Sequence, residues 1–257
     1  MAAPMTPMTT TSRLIALLKG RGNILVLTGA GVSQESGIAT FRDAGGLWEG
    51  VDPTQVATPR AFAADPKSVW RFYDARRAHA ASAQPNPAHR AIAALEATGR
   101  PFLLATQNVD GLHERSGSSE FVRLHGSLWR LRCTGCGDEH EDLRPKLEPL
   151  PPHCDACGAM LRPAVVWFEE PLPMIEFGRA QRAAREAELV VVVGTSSLVY
   201  PAASLQMAAL ESGAYVVEIN PEATSFSTHA SEHLAAPAGV VLPALLLAAG
   251  IPMDQHA

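Results

Sequence analysis

Residues 23–37, NILVLTGAGVSQESG, join an apolar run to a glycine-rich turn. The run predicts a strand that is buried on both faces of a sheet. Gly29 and Gly31 fit the first two glycines of the G-x-G-x-x-G dinucleotide fingerprint, but Gln34 stands where the third belongs. Small residues at a strand end let backbone amides approach a phosphate, and the start of a helix adds a positive dipole end. The turn is therefore compatible with a diphosphate site, and equally with a tight turn that binds nothing.

Similar apolar runs recur as FLLATQ, ELVVVVG and YVVEIN, and helical patterns ending at Gly99 and Gly213 lie between them. Alternation of this kind predicts an α/β fold, with a Rossmann-like parallel sheet covered by helices on both faces. The remaining segments read as two insertions that form a smaller module. We expect a sheet domain over 12–42, 83–125 and 163–250, a helical insertion over 43–82, a zinc-binding insertion over 126–162, and loose tails at 1–11 and 251–257.

Composition limits the classes of function. The 257 residues are 47% hydrophobic and 18% charged, with a net charge of −5, which argues against a nucleic-acid-binding surface. The N-terminus has no basic region before its short apolar run, so we expect no secretory signal and a cytoplasmic monomer. For the uncharged stretch 234–253 we predict a short buried strand at Val240 and Val241 and a helix from Pro243, rather than a membrane span.

All four cysteines fall in two C-x-x-C pairs, Cys133 with Cys136 and Cys154 with Cys157. Two such pairs on turns can bring four thiolates around one zinc ion, and a shell of four cysteines leaves no open position for substrate. The spacing thus predicts a structural zinc. Two disulfides or two redox-active pairs are the alternatives, and neither suits a cytosolic ribbon.

Polar side chains follow the second predicted strand. Gln107, Asn108 and Asp110 come directly after FLLAT, at the strand end where α/β sheets place ligand-contacting groups. His125 precedes a glycine just ahead of the cysteine region, where an imidazole can accept a proton near neutral pH. The stretch IATFRDAGGLWE, with Phe41 and Arg42, is typical of a loop that covers a ligand.

Taken together, GAGVSQESGIATFRDAGGLW, TQNVDGLH, LHGS, the paired C-x-x-C, RPAVVWFEE, GTSSLVYPAA and INPE resemble in order and spacing the motifs of the sirtuins, NAD-dependent protein lysine deacylases. The resemblance covers nearly the whole chain, from about residue 14 to 247. It implies that the first turn binds the NAD diphosphate, although the reaction is not hydride transfer. The acyl oxygen of a modified lysine displaces nicotinamide from the ribose, which yields free lysine and O-acyl-ADP-ribose.

The resemblance also implies roles for individual residues. His125 is the general base, Asn108 and Asp110 bind the nicotinamide carboxamide, and Gln107 contacts the ribose. Further cofactor contacts are implied for Gly29, Ala30, Gly31, Ser33, Phe41, Arg42, Trp48, Gly194, Thr195, Ser196, Asn220, Glu222 and, at the adenine, Ala238. The strand AVVWFEE, with Val166 and Phe168, would lie beside the substrate peptide and pair with its backbone.

The chain departs from the family pattern at Glu169, where VVxFGE has a glycine, and mildly at Gln34. A side chain at Glu169 can crowd or recharge the peptide channel.

Tyr73 and Arg76 lie one helical turn apart and resemble the Y-x-x-R marker of class III sirtuins, which accept malonyl, succinyl or glutaryl lysine. A guanidinium and a phenol suit the carboxylate of such an acyl tail, and we also expect acetyl removal. A solvated basic helix, with Arg71 and Arg77, is the alternative for this segment. For the whole protein the alternatives are mono-ADP-ribosyl transfer and a non-catalytic scaffold that senses NAD.

Overall fold

The computed structural model describes residues 12–40 and 51–253. Its strands are β1 (Ile24–Thr28), β2 (Phe102–Thr106), β3 (Phe121–Arg123), β4 (Gly126–Cys133), β5 (Glu139–Glu141), β6 (Leu161–Val165), β7 (Leu189–Val193), β8 (Tyr215–Ile219) and β9 (Glu232–Leu234). Its α-helices are α1 (Ser12–Lys19), α2 (Pro59–Ala64), α3 (Pro66–Ser82), α4 (Pro87–Glu96), α5 (Leu112–Arg115), α6 (Met174–Glu186), α7 (Ser204–Glu211) and α8 (Ala238–Ala249), with short 3-10 helices at Ala30–Ser36 and Pro53–Gln55.

Six strands form a parallel sheet in the order β3-β2-β1-β7-β8-β9. Alternate residues of each central strand enter two different apolar cores. In β7, Val191 packs in a core with α1, α4 and α8, whereas Val190 and Val192 pack with α6 and α7. Helices therefore cover both faces of the sheet, which confirms the predicted Rossmann-like α/β fold. The helical patterns before Gly99 and Gly213 are α4 and α7, and both glycines adopt positive φ, at 70° and 88°.

A second, antiparallel sheet has the order β5-β4-β6. It shares one apolar core with α2 and α3, whose members include Phe62, Trp70, Tyr73, Leu131 and Trp167. The helices and the cysteine-bearing strands thus form one smaller module, as predicted. Since this module packs beside the carboxyl ends of the parallel strands, a cleft lies between it and the larger sheet.

Two sequence predictions are wrong in detail. Ala238–Ala249 is one continuous helix with Pro243 inside it, rather than a strand at Val240 and Val241 followed by a helix. Residues 238, 241, 242, 245, 246 and 249 are buried at helical spacing. Because nearly every residue of the stretch is apolar, periodicity alone could not separate a helix from a buried strand.

In the part of the chain that the structure describes, no helix combines the length and apolar character that crossing a bilayer requires.

The predicted strand AVVWFEE also ends earlier than expected. β6 stops at Val165, and Val166 and Trp167 continue as irregular backbone before a turn at Phe168–Glu170. Glu169 has φ 73°, in the left-handed region that ends an extended segment. The turn beyond the strand therefore contains the residue where this chain departs from the family pattern.

Candidate active site

A cavity of about 1150 Å³ lies between the parallel sheet and the smaller module. Segments that directly follow β1, β2, β7 and β8 line one side, with Gly29–Gly31, Gln107, Gly194 and Asn220. The smaller module lines the other side with Ala57, Tyr73, Arg76 and residues 165–170. Ligand sites in parallel α/β sheets lie in this crevice, outside the carboxyl ends of the strands.

The glycine turn packs tightly against the end of β7. Gly29 N donates to Val193 O at 3.0 Å, and Gly31 N donates to Gly194 O at 2.8 Å. A Cβ atom at either glycine would lie 2.8 Å from the backbone of Gly194 or Thr195. The two glycines are therefore required for close approach of turn and strand, which is how the opening motif shapes this side of the cavity.

Three of the predicted cofactor residues form one buried cluster. The Ser33 hydroxyl donates to Asp110 Oδ2 at 2.8 Å, and Asn108 Nδ2 donates to the Ser33 oxygen at 3.1 Å. Asp110 Oδ1 accepts from Leu112 N at 2.9 Å. Burial raises the pKa of Asp110, and these hydrogen bonds partly counteract the rise. The cluster borders a smaller adjoining cavity, about 210 Å³ in volume, that Arg76 also lines.

Sequence reasoning missed two buried histidines behind this cluster. The His113 and His89 rings lie 4.8 Å apart, His89 Nε2 lies 3.4 Å from the Ser33 hydroxyl, and His113 Nε2 lies 3.0 Å from the Thr28 hydroxyl. Burial lowers the pKa of His89 to about 4 and that of His113 well below its ordinary value, so both rings are neutral. Their positions in helical segments gave no signal of this role, although His113 follows the polar TQNVDG segment by two residues.

His125 lines the large cavity, and its ring orientation is fixed by one hydrogen bond. Its Nδ1 lies 3.2 Å from Gln107 O, so in the neutral ring Nδ1 carries the proton and donates to this carbonyl. Nε2 is then the basic nitrogen. Burial lowers the pKa of His125, and the Gln107 carbonyl partly offsets the change. A neutral imidazole held in one tautomer can take a proton from a hydroxyl in the cavity.

Tyr73 and Arg76 face the same cavity from α3. The Tyr73 hydroxyl oxygen accepts from Trp167 Nε1 at 2.9 Å, and the Arg76 guanidinium carbon lies 5.6 Å from the centre of the Tyr73 ring. Burial raises the pKa of Tyr73 and lowers that of Arg76. Arg77 is fully buried and bonds to backbone carbonyls of Leu128, Asp142 and Arg144. α3 is therefore not a solvated basic helix at these positions.

The remaining predicted cofactor residues divide into three groups. Thr195 connects the segments that follow β2 and β8. Its hydroxyl accepts from Gln107 Nε2 at 3.2 Å, and its carbonyl accepts from Asn220 Nδ2 at 3.2 Å. Ala30, Ser196 and Glu222 line the cavity with them, as do Val166 and Phe168 on the module side, whereas Ala238 is buried at the start of α8 and does not. Phe41, Arg42 and Trp48 lie outside the described residues.

The four cysteines form a compact cluster in the smaller module, with all Sγ atoms within 4.8 Å of one another. The Sγ atoms of Cys133 and Cys157 are 3.3 Å apart, and those of Cys136 and Cys154 are 3.8 Å apart. A tetrahedral zinc with Zn–S bonds of about 2.3 Å separates its sulfurs by about 3.8 Å. Backbone amides of Cys136 and Gly135 lower the pKa of Cys133 to about 6, whereas hydrogen bonds with the neighbouring cysteine thiols raise the pKa of Cys136. The cluster fits a structural zinc, and none of the four is in a disulfide.

The chain matches known proteins along most of its length. Residues 29–201 match the family model described as Sir2 family. The chain is 50% identical over 242 residues to NAD-dependent protein deacylase 1 of Pseudomonas aeruginosa, a match that spans 91% of this chain and 96% of that protein. It is 49% identical over 211 residues to an NAD-dependent protein deacylase of Aquifex aeolicus, spanning 82% of this chain and 88% of the relative.

Solved structures of Sir2 proteins are also similar to this chain. A complex of a Sir2 homologue with NAD aligns with a TM-score of 0.89 at 43% identity, covering 95% of each chain. A Sir2 variant bound to a deacetylated p53 peptide and 3′-O-acetyl ADP-ribose aligns with a TM-score of 0.84 at 31% identity, covering 93% of this chain and 98% of the other. The fold described above therefore occurs in proteins whose solved structures hold NAD or an acetylated ADP-ribose.

Proposed function

The chain belongs to the Sir2 family of NAD-dependent protein deacylases, and we propose that it removes succinyl, malonyl and glutaryl groups, together with acetyl, from protein lysines. NAD supplies the ribose carbon at which the acyl oxygen of the lysine displaces nicotinamide. A ribose hydroxyl then takes the acyl group, and one water is consumed as the C–N bond to lysine breaks, so that the other products are free lysine and O-acyl-ADP-ribose. The substrates are acylated proteins or peptides that enter the cavity beside Val166 and Phe168.

The orientation of His125 carries this proposal. Gln107 O holds Nδ1, which leaves Nε2 as the basic nitrogen in the cavity. Because the imidazole is neutral, it can remove the proton of a ribose hydroxyl. Val166 N donates to His125 O at 2.9 Å, so the base and the proposed peptide-binding segment are joined directly.

Ser33, Asn108 and Asp110 would hold the nicotinamide end. Their mutual hydrogen bonds fix the side chains before ligand arrives, so little rotamer entropy is lost on binding. The neighbouring residues Gly29–Gly31 would contact the diphosphate, and Thr195 and Asn220 would contact the adenosine half.

The acidic acyl groups are proposed from Tyr73 and Arg76. The Tyr73 oxygen already accepts from Trp167, so its own proton is available to a carboxylate in the cavity. The guanidinium of Arg76 lies beside the same ring and is half-buried. A half-buried cation has lost part of its hydration, which a ligand of opposite charge replaces.

The direct test is a set of peptides that differ only in the acyl group, acetyl, malonyl, succinyl or glutaryl, assayed with and without NAD. We expect nicotinamide release only when both NAD and acyl-lysine are present. Nicotinamide release with transfer of ADP-ribose to protein, independent of acyl-lysine, would instead support mono-ADP-ribosyl transfer. Absence of any NAD-dependent reaction would support the scaffold alternative.

His125→Tyr is expected to lower kcat by about 10²- to 10⁴-fold, the usual contribution of a general base. Its circular dichroism spectrum and zinc content are the controls, and both should match the parent protein, because His125 lies outside the cysteine cluster. Turnover at the parent rate in this variant would exclude His125 as the base.

Arg76→Met is expected to separate the acyl groups. The variant keeps an apolar stem but removes a charged hydrogen-bond donor, an interaction that contributes about 1.5–3 kcal/mol. We expect kcat/KM for succinyl-lysine to fall about tenfold or more, while kcat/KM for acetyl-lysine changes little by comparison. Equal losses for both peptides would contradict the assignment of Arg76 to the acyl carboxylate.

A further inference from the structure

Glu169 holds an acidic side chain at the rim of the cavity in a backbone conformation that favours glycine. Its φ is 73°, and it lines the cavity directly after Phe168. A side chain in the left-handed region costs stability relative to glycine. The side chain itself is 47% exposed, so burial of apolar surface does not offset this cost. The negative charge is therefore the property of Glu169 that can account for a side chain at this position.

Arg60 of α2 binds the Glu169 carboxylate in a bidentate ion pair. Nη2 lies 2.5 Å from Oε1, and Nε lies 3.3 Å from Oε2. A backbone hydrogen bond of 3.0 Å from Phe168 N to Ala57 O joins the same two segments. The pair thus sits where the residues before α2 meet the proposed peptide-binding segment, with the Arg60 side chain 77% exposed.

Charges along the cavity are unevenly distributed. Among the described residues that line it, the acidic ones are Glu169, Glu170 and Glu222, and the cation is Arg76. Glu170 accepts two hydrogen bonds from Arg162, at 2.6 and 2.9 Å, and one from Trp167 N at 2.8 Å, and its side chain is 22% exposed against 47% for Glu169. Glu222 lies on the opposite side of the cavity with Asn220. Glu169 is therefore the acidic group placed to meet a peptide that lies along residues 166–168.

A carboxylate that already binds one arginine can accept a second cation. Elsewhere in this chain Glu139 binds both Arg130, at 2.7 Å, and Arg132, at 3.0 Å. A carboxylate offers about four acceptor positions, and Arg60 occupies two of those on Glu169. A cation of a bound peptide could thus pair with Glu169 while Arg60 stays in place.

We propose that Glu169 selects substrates with a lysine or arginine flanking the acyl-lysine, and that Arg60 weakens this preference by neutralising part of the charge. The inference rests on the proposed function, because that function places the peptide along residues 166–168. Removal of the two partners has opposite consequences. Loss of Arg60 leaves a stronger negative site, whereas loss of the Glu169 charge leaves a positive one.

The test compares fluorescent acyl-lysine peptides that carry either arginine or glutamate at the flanking positions. The readout is the ratio of their dissociation constants, glutamate peptide over arginine peptide, measured by anisotropy. We expect this ratio to exceed one in the parent protein and to rise by about two- to fivefold in Arg60→Ala, as for an exposed ion pair. In Glu169→Gln, which keeps the side-chain shape and the backbone strain, the ratio should fall to one or below. The parent ratio should also shrink at high salt.

Arg185→Ala is the matched control, because Arg185 is an exposed arginine of α6 that does not line the cavity. It removes the same charge from the whole molecule and should leave the ratio unchanged. If the ion pair served only to hold the two segments together, Arg60→Ala and Glu169→Gln would shift the ratio in the same direction, and that result would overturn the proposal, as would an unchanged ratio in Glu169→Gln.

Failure of this inference is distinguishable from failure of the proposed function. If the parent protein binds both peptides equally and still deacylates them with NAD, only the proposed role of Glu169 is contradicted. A charge-dependent binding ratio without any deacylation contradicts only the proposed chemistry.

Discussion

At the scale of single residues, backbone groups determine what the polar side chains can do. The Gln107 carbonyl selects the tautomer of His125, and the Leu112 amide binds Asp110. Both contacts come from the segment between β2 and α5 or from its immediate neighbours. The chemistry of His125 and Asp110 therefore depends on backbone groups near the end of β2. Conservative changes of neighbouring side chains would leave these backbone contacts in place.

The lowered pKa of His125 sets an expectation for the pH profile. A base must be neutral to act, and a folded-state pKa below 6.5 keeps the ring neutral at lower pH than free histidine. We therefore expect the midpoint of the decline in kcat/KM at acid pH to lie below 6.5. A pH series with an acetyl-lysine peptide measures this midpoint. A midpoint above 6.5 would mean that burial does not control this ring.

Single residues also show what sequence could reveal. Gln107, Asn108 and Asp110 follow an apolar strand, so their place at a carboxyl end was predictable, and so was the zinc cluster from its spacing. Trp167 and Arg60 were not identified, because their roles depend on contacts with residues 94 and 109 positions away. Contacts between residues so far apart in the sequence form only in the tertiary fold and leave no local sequence pattern.

At the scale of elements, α4 and α5 place two histidines behind the polar cluster. Asn86 caps α4 by accepting from Ala88 N at 2.9 Å, and His89 Nδ1 accepts from Asn86 N at 3.3 Å, which completes a capping box. This holds the His89 ring toward His113 of α5 and toward Ser33. Helix capping and site geometry thus depend on one imidazole.

This pair predicts acid sensitivity of the fold. The folded-state pKa of His89 is about 4, below the ordinary 6.5, so the unfolded chain binds a proton first as pH falls. The free energy of unfolding should therefore decrease from pH 6.5 down to about 4, by about 3 kcal/mol from His89 alone. Urea unfolding over this range measures the slope.

His89→Gln removes the titrating group and serves as the control. We expect it to be less stable than the parent protein at pH 8, because the capping contact is lost, but to show a flatter dependence on pH. A slope equal to that of the parent would assign the acid sensitivity to other groups.

Elements also show the limits of periodicity. The central strands were predictable because each is short, apolar and followed by small or polar residues. α8 was not, since an almost uniformly apolar segment contains no periodic signal. Its start is instead fixed by Glu35, whose carboxylate accepts from Gly239 N at 2.7 Å across 204 residues of chain.

At the scale of the whole molecule, the smaller module is assembled from separate stretches of chain. α2 and α3 precede β2, whereas β4 and β6 follow β3, and these four elements contribute to one core. Arg77 connects them, since its guanidinium, fully buried on α3, bonds to carbonyls at Leu128, Asp142 and Arg144. Leaving the buried Arg77 guanidinium without these hydrogen bonds would be costly, so the stretches depend on one another for stability.

The shared core has a consequence for metal supply. Cys133 and Cys154 belong to the same apolar cluster as Tyr73, the residue proposed to bind the acyl group, and Trp167, its hydrogen-bond partner. A structural zinc bound by the four cysteines would thereby support the cavity wall that we propose to discriminate among lysine modifications. In a cell starved of zinc, we expect the enzyme to lose its discrimination between acyl groups before it loses NAD, because the sheet that would hold NAD has its own separate cores.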